Sequence, residues 1–211
     1  MGQLIAFGPV PSRRLGRSLG INNIPAKACS YFCIGRTTRM ATSRRPFYAP
    51  EVILQDVRRQ VEKAEMVGEA IDYLSFVPDG EPTLDLYLGR TIDLLRPLGI
   101  KIAVISNGSL IDRNDVQLDL IKADWVSLKV DAVWESVWRQ VNRPCHTISL
   151  ASILQGMRVF AQTYGGTLAT ETMLVQGIND GQELLPRRAC MPPTRMLSDG
   201  FTIAWLRASV I

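Results

Sequence analysis

Ile71-Asp-Tyr-Leu-Ser-Phe-Val77, closed by Pro78-Asp-Gly-Glu-Pro82, is a short apolar run that ends in turn-forming residues. Such a run reads as a buried strand leading into a loop. A helical pattern follows over 85–98, with Leu86, Leu88, Ile92, Leu94 and Leu95 available for a core. A second apolar run over 101–105 is closed by Ser106-Asn107-Gly108. Toward the N-terminus, residues 18–24 read as a first strand stopped by Pro25. Residues 50–67 read as a helix with Pro50 near its start and Val52, Ile53, Val57, Val61 and Ala64 at helical spacing. Toward the C-terminus come a short helix over 112–121, a strand over 124–130, helices over 133–141 and 149–164, and a strand over 167–175. Strands alternating with helices predict an α/β fold with a parallel sheet and helical crossovers. The alternation does not separate an open doubly wound sheet from a barrel. Both place their chemistry at the carboxyl ends of the strands.

The 211 residues suit one domain, with or without a short extension, and 46% hydrophobic composition suits a packed core. No apolar stretch approaches the ~20 residues of a membrane span, and residues 1–10 lack the pattern of a secretion signal. A cytoplasmic protein without a membrane partner is the expectation. Four cysteines in a chain this long need form no disulfides. Residues 1–50 carry eight Lys or Arg and no Asp or Glu. A segment this basic can attract phosphates or RNA. Arg13, Arg14, Arg17, Arg36, Arg39, Arg44 and Arg45 lack interleaved aromatics of the kind that stack on bases, so a solvated basic surface is the plainer reading.

Every predicted strand ends in polar or Gly-rich residues. In chain order these are Cys29-Ser-Tyr-Phe-Cys33, Asp79-Gly80-Glu81-Pro82-Thr83, Ser106-Asn107-Gly108, Lys129-Val130-Asp131 and Gln176-Gly-Ile-Asn-Asp180. Turn formers must end strands in any protein, but five such edges, one with paired cysteines, point to a shared pocket.

The first of these edges carries a resemblance. Residues 19–33, ending in Cys29-Ser-Tyr-Phe-Cys33, resemble the start of a radical S-adenosylmethionine (SAM) domain. They are most similar to the iron–sulfur oxidoreductase branch that includes wyosine-forming tRNA-modifying enzymes. Phe7-Gly-Pro-Val-Pro-Ser-Arg-Arg-Leu-Gly-Arg17 resembles the same branch, and Gly80-Glu81-Pro82-Thr83-Leu84 is similar to the family's Gly-Glu motif. The likeness spans roughly residues 5–181. It implies a partial TIM-like (β/α) barrel, a [4Fe–4S] cluster held by Cys-x3-Cys-x2-Cys, and SAM on the open iron. It also implies an electron donor such as a flavodoxin or ferredoxin. The cofactors would yield a 5′-deoxyadenosyl radical that abstracts hydrogen from a substrate the sequence does not identify. Cys29 and Cys33 would be metal ligands. Gly80, Glu81 and Pro82 would meet the SAM amino group. Ser106, Asn107, Lys129 and Asp131 would contact its carboxylate or ribose, with Asn142 and Arg143 as weaker candidates.

The chain departs from this pattern twice. The third cysteine is due at position 36, where Arg36 stands, and the aromatic before it is gone. Three accounts stay open: residues lost after Ile34, a degenerate relative without a stable cluster, or completion by another residue such as Cys145 or His146, with Cys190 more remote. From about residue 182 the sequence loses the likeness, so residues 1–181 form the expected domain and 182–211 a divergent tail. The barrel is then shortened at its C-terminal end, with residues 201–206 as a substitute strand. Three function classes follow: a radical SAM enzyme, a non-catalytic relative that binds SAM or a nucleotide but holds no stable cluster, or a phosphate- or RNA-binding α/β module that rests only on the basic N-terminus.

Overall fold

The computed structural model describes residues 4–180 and the backbone of 205–208. Its main sheet has seven strands in the order β1-β2-β5-β6-β7-β8-β9. These are β1 Ala6–Ser12, β2 Gly16–Ile21, β5 Tyr73–Phe76, β6 Lys101–Ser106, β7 Trp125–Lys129, β8 Thr167–Met173 and β9 Trp205–Ala208. Two-residue strands β3 Ala28–Cys29 and β4 Arg39–Met40 pair separately. All neighbours from β2 to β9 are parallel. The helices are α1 Pro50–Met66, α2 Leu88–Leu95, α3 Asn114–Leu120, α4 Glu135–Asn142 and α5 Leu150–Thr163. The fold is an α/β, open partial (β/α) barrel. None of the helices described is long and apolar enough to cross a membrane.

Alternation along the strands sets its two faces. Leu74, Phe76, Ile102, Val104, Val126 and Leu128 are buried against Ile53 and Val57 of α1, Ile92 of α2 and Phe160 of α5. The opposite, inner face mixes small residues with larger ones such as Tyr73, Ile105 and Trp125. Ser18 and Ser75 there share a hydrogen bond between their hydroxyls. Gly20 is required because a Cβ would run into the Phe7 ring laid across it. Leu15, in the β1–β2 turn, packs with Ala103, Trp125 and Ala169, so the turn stoppers the inner face at the amino ends of the strands.

The structure corrects the sequence reading at several points. The first strand is β1, antiparallel to β2; Pro9 and Pro11 argue against a strand, yet edge strands tolerate proline. The helix expected over 85–98 is a 3₁₀ turn at Pro82–Leu84, then α2, then a 3₁₀ turn at Arg96–Leu98. Val52 and Leu86 are exposed rather than core. In the tail, β9 pairs in parallel with β8 and overlaps the expected substitute strand at residues 205 and 206; residues 201–204 lie outside the described residues.

The segment joining β4 to α1 is pinned by one buried arginine. Arg44 Nε donates to the Thr83 carbonyl at 2.9 Å, and Nη2 to the Asp85 carbonyl at 2.8 Å. Its guanidinium also pairs with Asp115 at 2.8 Å and with Asp119. Asp85 itself is buried and accepts from Tyr87 N–H at 3.0 Å and from Asn23 Nδ2 at 3.2 Å. Burial pushes its carboxyl from the ordinary 3.8 up to about 6. A raised folded-state pKa adds stability that is full below pH 3.8 and lost as pH rises through about 6. Asp85→Asn is therefore expected to flatten the fall in unfolding free energy across that window, on the order of 2 kcal/mol. Urea titrations from pH 4 to 7 measure it; an unchanged slope would refute the assignment.

Candidate cofactor site

The cysteine loop is held like a short strand against the last turn of α4 and the segment after it. Phe32 N–H donates to the Arg143 carbonyl at 3.2 Å and Ile34 N–H to the Val141 carbonyl at 3.0 Å. Cys145 N–H reaches the Ser30 carbonyl at 3.2 Å. Arg143 sits at φ 44° to make this turn. On the other side, Glu81 N–H donates to the Ala28 carbonyl at 2.9 Å. Gly80 allows that approach, since a Cβ would run into the same oxygen.

Glu81 organises the second wall. It is fully buried and accepts four hydrogen bonds. Thr83 N–H and Oγ1 reach Oε1 at 3.0 and 2.6 Å, Ser106 Oγ reaches Oε1 at 2.8 Å, and Asn107 N–H reaches Oε2 at 2.7 Å. Burial pushes its carboxyl up, and these donors act against the shift. Asn107, fixed by Glu81, turns its Nδ2 to Cys29 Sγ at 3.4 Å and Ser30 Oγ at 2.9 Å. The Cys29 thiol is pushed up to about 11, by burial and then by the charge on Glu81.

Cys33 is buried and meets different donors, Asn142 Nδ2 at 3.6 Å and Lys129 Nζ at 3.6 Å. Both donors also bond Asp131, Lys129 at 2.9 Å and Asn142 at 2.6 Å. Asp131 accepts from Met173 N–H at 2.7 Å as well. Burial alone would lower the Lys129 pKa, but Asp131 and Cys33 beside it outweigh that and the net shift is upward.

Between these walls lies a cavity of about 270 Å³. Of the residues singled out from sequence, Cys29, Cys33, Gly80, Ser106, Asn107 and Lys129 line it. Glu81, Pro82 and Asp131 do not; they stand behind it. Glu81 is thus neither a solvated loop acid nor a cavity wall, but the acceptor that fixes Ser106 and Asn107. Lys129 and Asp131 form an ion pair, and Lys129 also faces the cavity. Asn142 bonds Cys33, whereas Arg143 contributes backbone.

Arg36 pairs with Asp79 at the cavity edge. Cys145 and His146 do not line the cavity. The Cys145 thiol lies 3.8 Å from His146 Nδ1 and 3.6 Å from Thr147 Oγ1. Among the described residues no three His, Cys, Asp or Glu side chains group as metal ligands, and Cys190 lies outside them. The arginines are largely engaged, with Arg14, Arg17 and Arg36 paired to Glu171, Glu69 and Asp79. Arg44 is buried.

Glu171 is among the cavity-lining residues that escaped the sequence reading. The alternation Leu168-Ala-Thr-Glu171 on β8 was the available signal, because Glu171 shares a face with Ala169.

Residues 25–185 match the family model of the radical SAM superfamily. A UPF0026 protein of Methanocaldococcus jannaschii is 50% identical over 189 residues, covering 88% of this chain and 58% of that protein. A UPF0026 protein of Helicobacter pylori is 34% identical, covering 83% of this chain and 58% of that one. The chain thus spans just over half the length of these relatives. Among solved structures, archaeal TYW1 aligns at TM-score 0.57 and 18% identity, over 78% of this chain and 57% of its own. A radical SAM methyltransferase from Sphaerobacter thermophilus aligns at TM-score 0.56 and 16% identity, over 79% and 50%. These two likenesses show the fold.

Proposed function

The chain belongs to the radical SAM superfamily, and on that premise we propose that its cavity binds S-adenosylmethionine. A [4Fe–4S] cluster, when bound, supplies the electron that cleaves SAM to a 5′-deoxyadenosyl radical for hydrogen abstraction. One observation carries the proposal: a single cavity joins both thiols of the Cys-x3-Cys pair to Gly80, Ser106 and Asn107.

The donor set does not fit the cluster in full. Three thiolates are required, and this cavity offers Cys29 and Cys33 with a guanidinium at the third spacing. A guanidinium has no lone pair to give a metal. The chain's own residues hold and orient: Glu81 fixes Asn107, Asn107 and Asn142 direct N–H groups at the two sulfurs, and the Lys129–Asp131 pair presents a cation to the cavity wall.

The test is SAM binding by equilibrium dialysis, before and after anaerobic treatment with ferrous iron and sulfide, with iron counted per chain. We expect saturable SAM binding, and iron retained well below the roughly four atoms of a complete cluster. Failure of either form to bind SAM would refute the reading.

A further inference from the structure

We propose that the mouth of the cavity receives a phosphate monoester carried by a second ligand, with Lys27 as the cation that holds it; the proposal rests on the SAM reading above, since it assigns the space beside that cofactor. Three cations line the cavity, Lys27, Arg36 and Lys129. Arg36 is engaged by Asp79 and Lys129 by Asp131. Lys27 is exposed, and its ammonium pairs with no described residue. The backbone beneath it is constrained. Lys27 sits at φ 69°, in the left-handed region where a side chain carries a cost that glycine avoids. Two hydrogen bonds hold it there: its N–H donates to the Asp79 carbonyl, and Arg39 N–H donates to its carbonyl at 2.6 Å. Strained residues of this kind persist where the surroundings over-determine them, and they cluster at ligand clamps. A lysine in place of glycine keeps a positive charge at the rim.

Thr37 and Thr38 line the same cavity. Among the described residues, neither their hydroxyls nor their backbone N–H groups find a partner. The mouth thus gathers an unpaired ammonium with uncommitted hydroxyls and N–H groups. That set donates to an anion with several bare oxygens. A phosphate monoester offers more of these, and more charge, than a carboxylate or a phosphodiester. SAM carries a net positive charge, so an unneutralised ammonium suits a different ligand at this position. The competing account is a solvated surface cation with no specific partner.

The two accounts separate in phosphorus NMR line broadening of inorganic phosphate, on the full chain, at constant ionic strength, with and without SAM. Phosphate should bind saturably, SAM should not displace it, and acetate and dimethyl phosphate should compete at least about tenfold more weakly. Lys27→Met keeps the stem and removes the charge; it should weaken phosphate about tenfold or more and leave SAM unchanged. Arg39→Met is the reference, because Arg39 is exposed and does not line the cavity. Lys27→Gly should lose phosphate equally yet unfold at higher urea, since it relieves the backbone. The proposal is overturned if Lys27→Met and Arg39→Met weaken phosphate equally, if either competitor matches phosphate, or if Lys27→Gly unfolds at lower urea than wild type. Wild-type protein that binds SAM but not phosphate defeats this inference alone, as does SAM displacing phosphate or Lys27→Met losing both. Wild-type protein that binds phosphate but not SAM defeats the SAM reading while upholding the anion site.

Discussion

Arg44→Ala should lower the unfolding free energy by about 3–5 kcal/mol, the usual consequence of removing one partner from a buried charge pair. Arg44 is nearly sealed from water, with 4% of its side chain exposed. Its loss strands the Asp119 carboxylate, which is 17% exposed, and the carbonyls of Thr83 and Asp85. These carbonyls lie in and beside the 3₁₀ turn capped by Glu81, so the damage reaches the wall that fixes Asn107. Arg44→Lys keeps the charge but cannot reach four acceptors with a planar fork, and should recover only part of the loss. Urea unfolding with the Arg59→Ala variant as reference measures this, since Arg59 makes only an exposed pair with Asp56. Equal, small losses in Arg44→Ala and Arg59→Ala would refute the anchoring role.

The second large effect concerns metal. Arg36→Cys should raise iron retained after anaerobic reconstitution to about four atoms per chain, and Arg36→Ser should not. The substitution completes Cys-x3-Cys-x2-Cys at a residue that already lines the cavity with both other thiols. What it removes is cheap. The Arg36–Asp79 ion pair is solvent-facing, with side chains 60% and 49% exposed, and such pairs contribute about 0–1 kcal/mol. The turn there is open, since a Cβ added to Gly35 would meet nothing within 4 Å. With reductant and SAM, the cysteine variant should release 5′-deoxyadenosine. Iron no higher in Arg36→Cys than in the parent would mean that Cys29 and Cys33 are not the remaining part of a cluster site.

Much of the scaffold was legible because parallel strands buried on both faces read as apolar runs between turn residues. The stretches around residues 71–77, 101–105 and 124–130 fell close to β5, β6 and β7. β1 was hidden by Gly8-Pro9-Val10-Pro11, whose residues discourage a ladder everywhere except at an edge. At the site, the cysteines, Gly80 and Asn107 were visible as strand-end residues. The distinct fates of the arginines were not. Seven of them crowd the first 50 residues, and nothing local tells Arg44, buried among carbonyls and carboxylates, from Arg36 in solvent. Burial of Glu81 was equally hidden, because two of its four donors come from Ser106 and Asn107, on a different strand end. Glu171 needed knowledge of which face of β8 turns inward, and tertiary packing alone decides that.

The Leu15 turn that blocks the inner face at the amino ends of the strands has a consequence for traffic. With that end filled by Leu15, Trp125 and the Arg14–Glu171 pair, the chamber is a cul-de-sac whose doorway is the rim near Lys27, Arg36 and Asp79. Whatever goes in first sits deepest and leaves last. Two ligands sharing the chamber would have to pass that same rim.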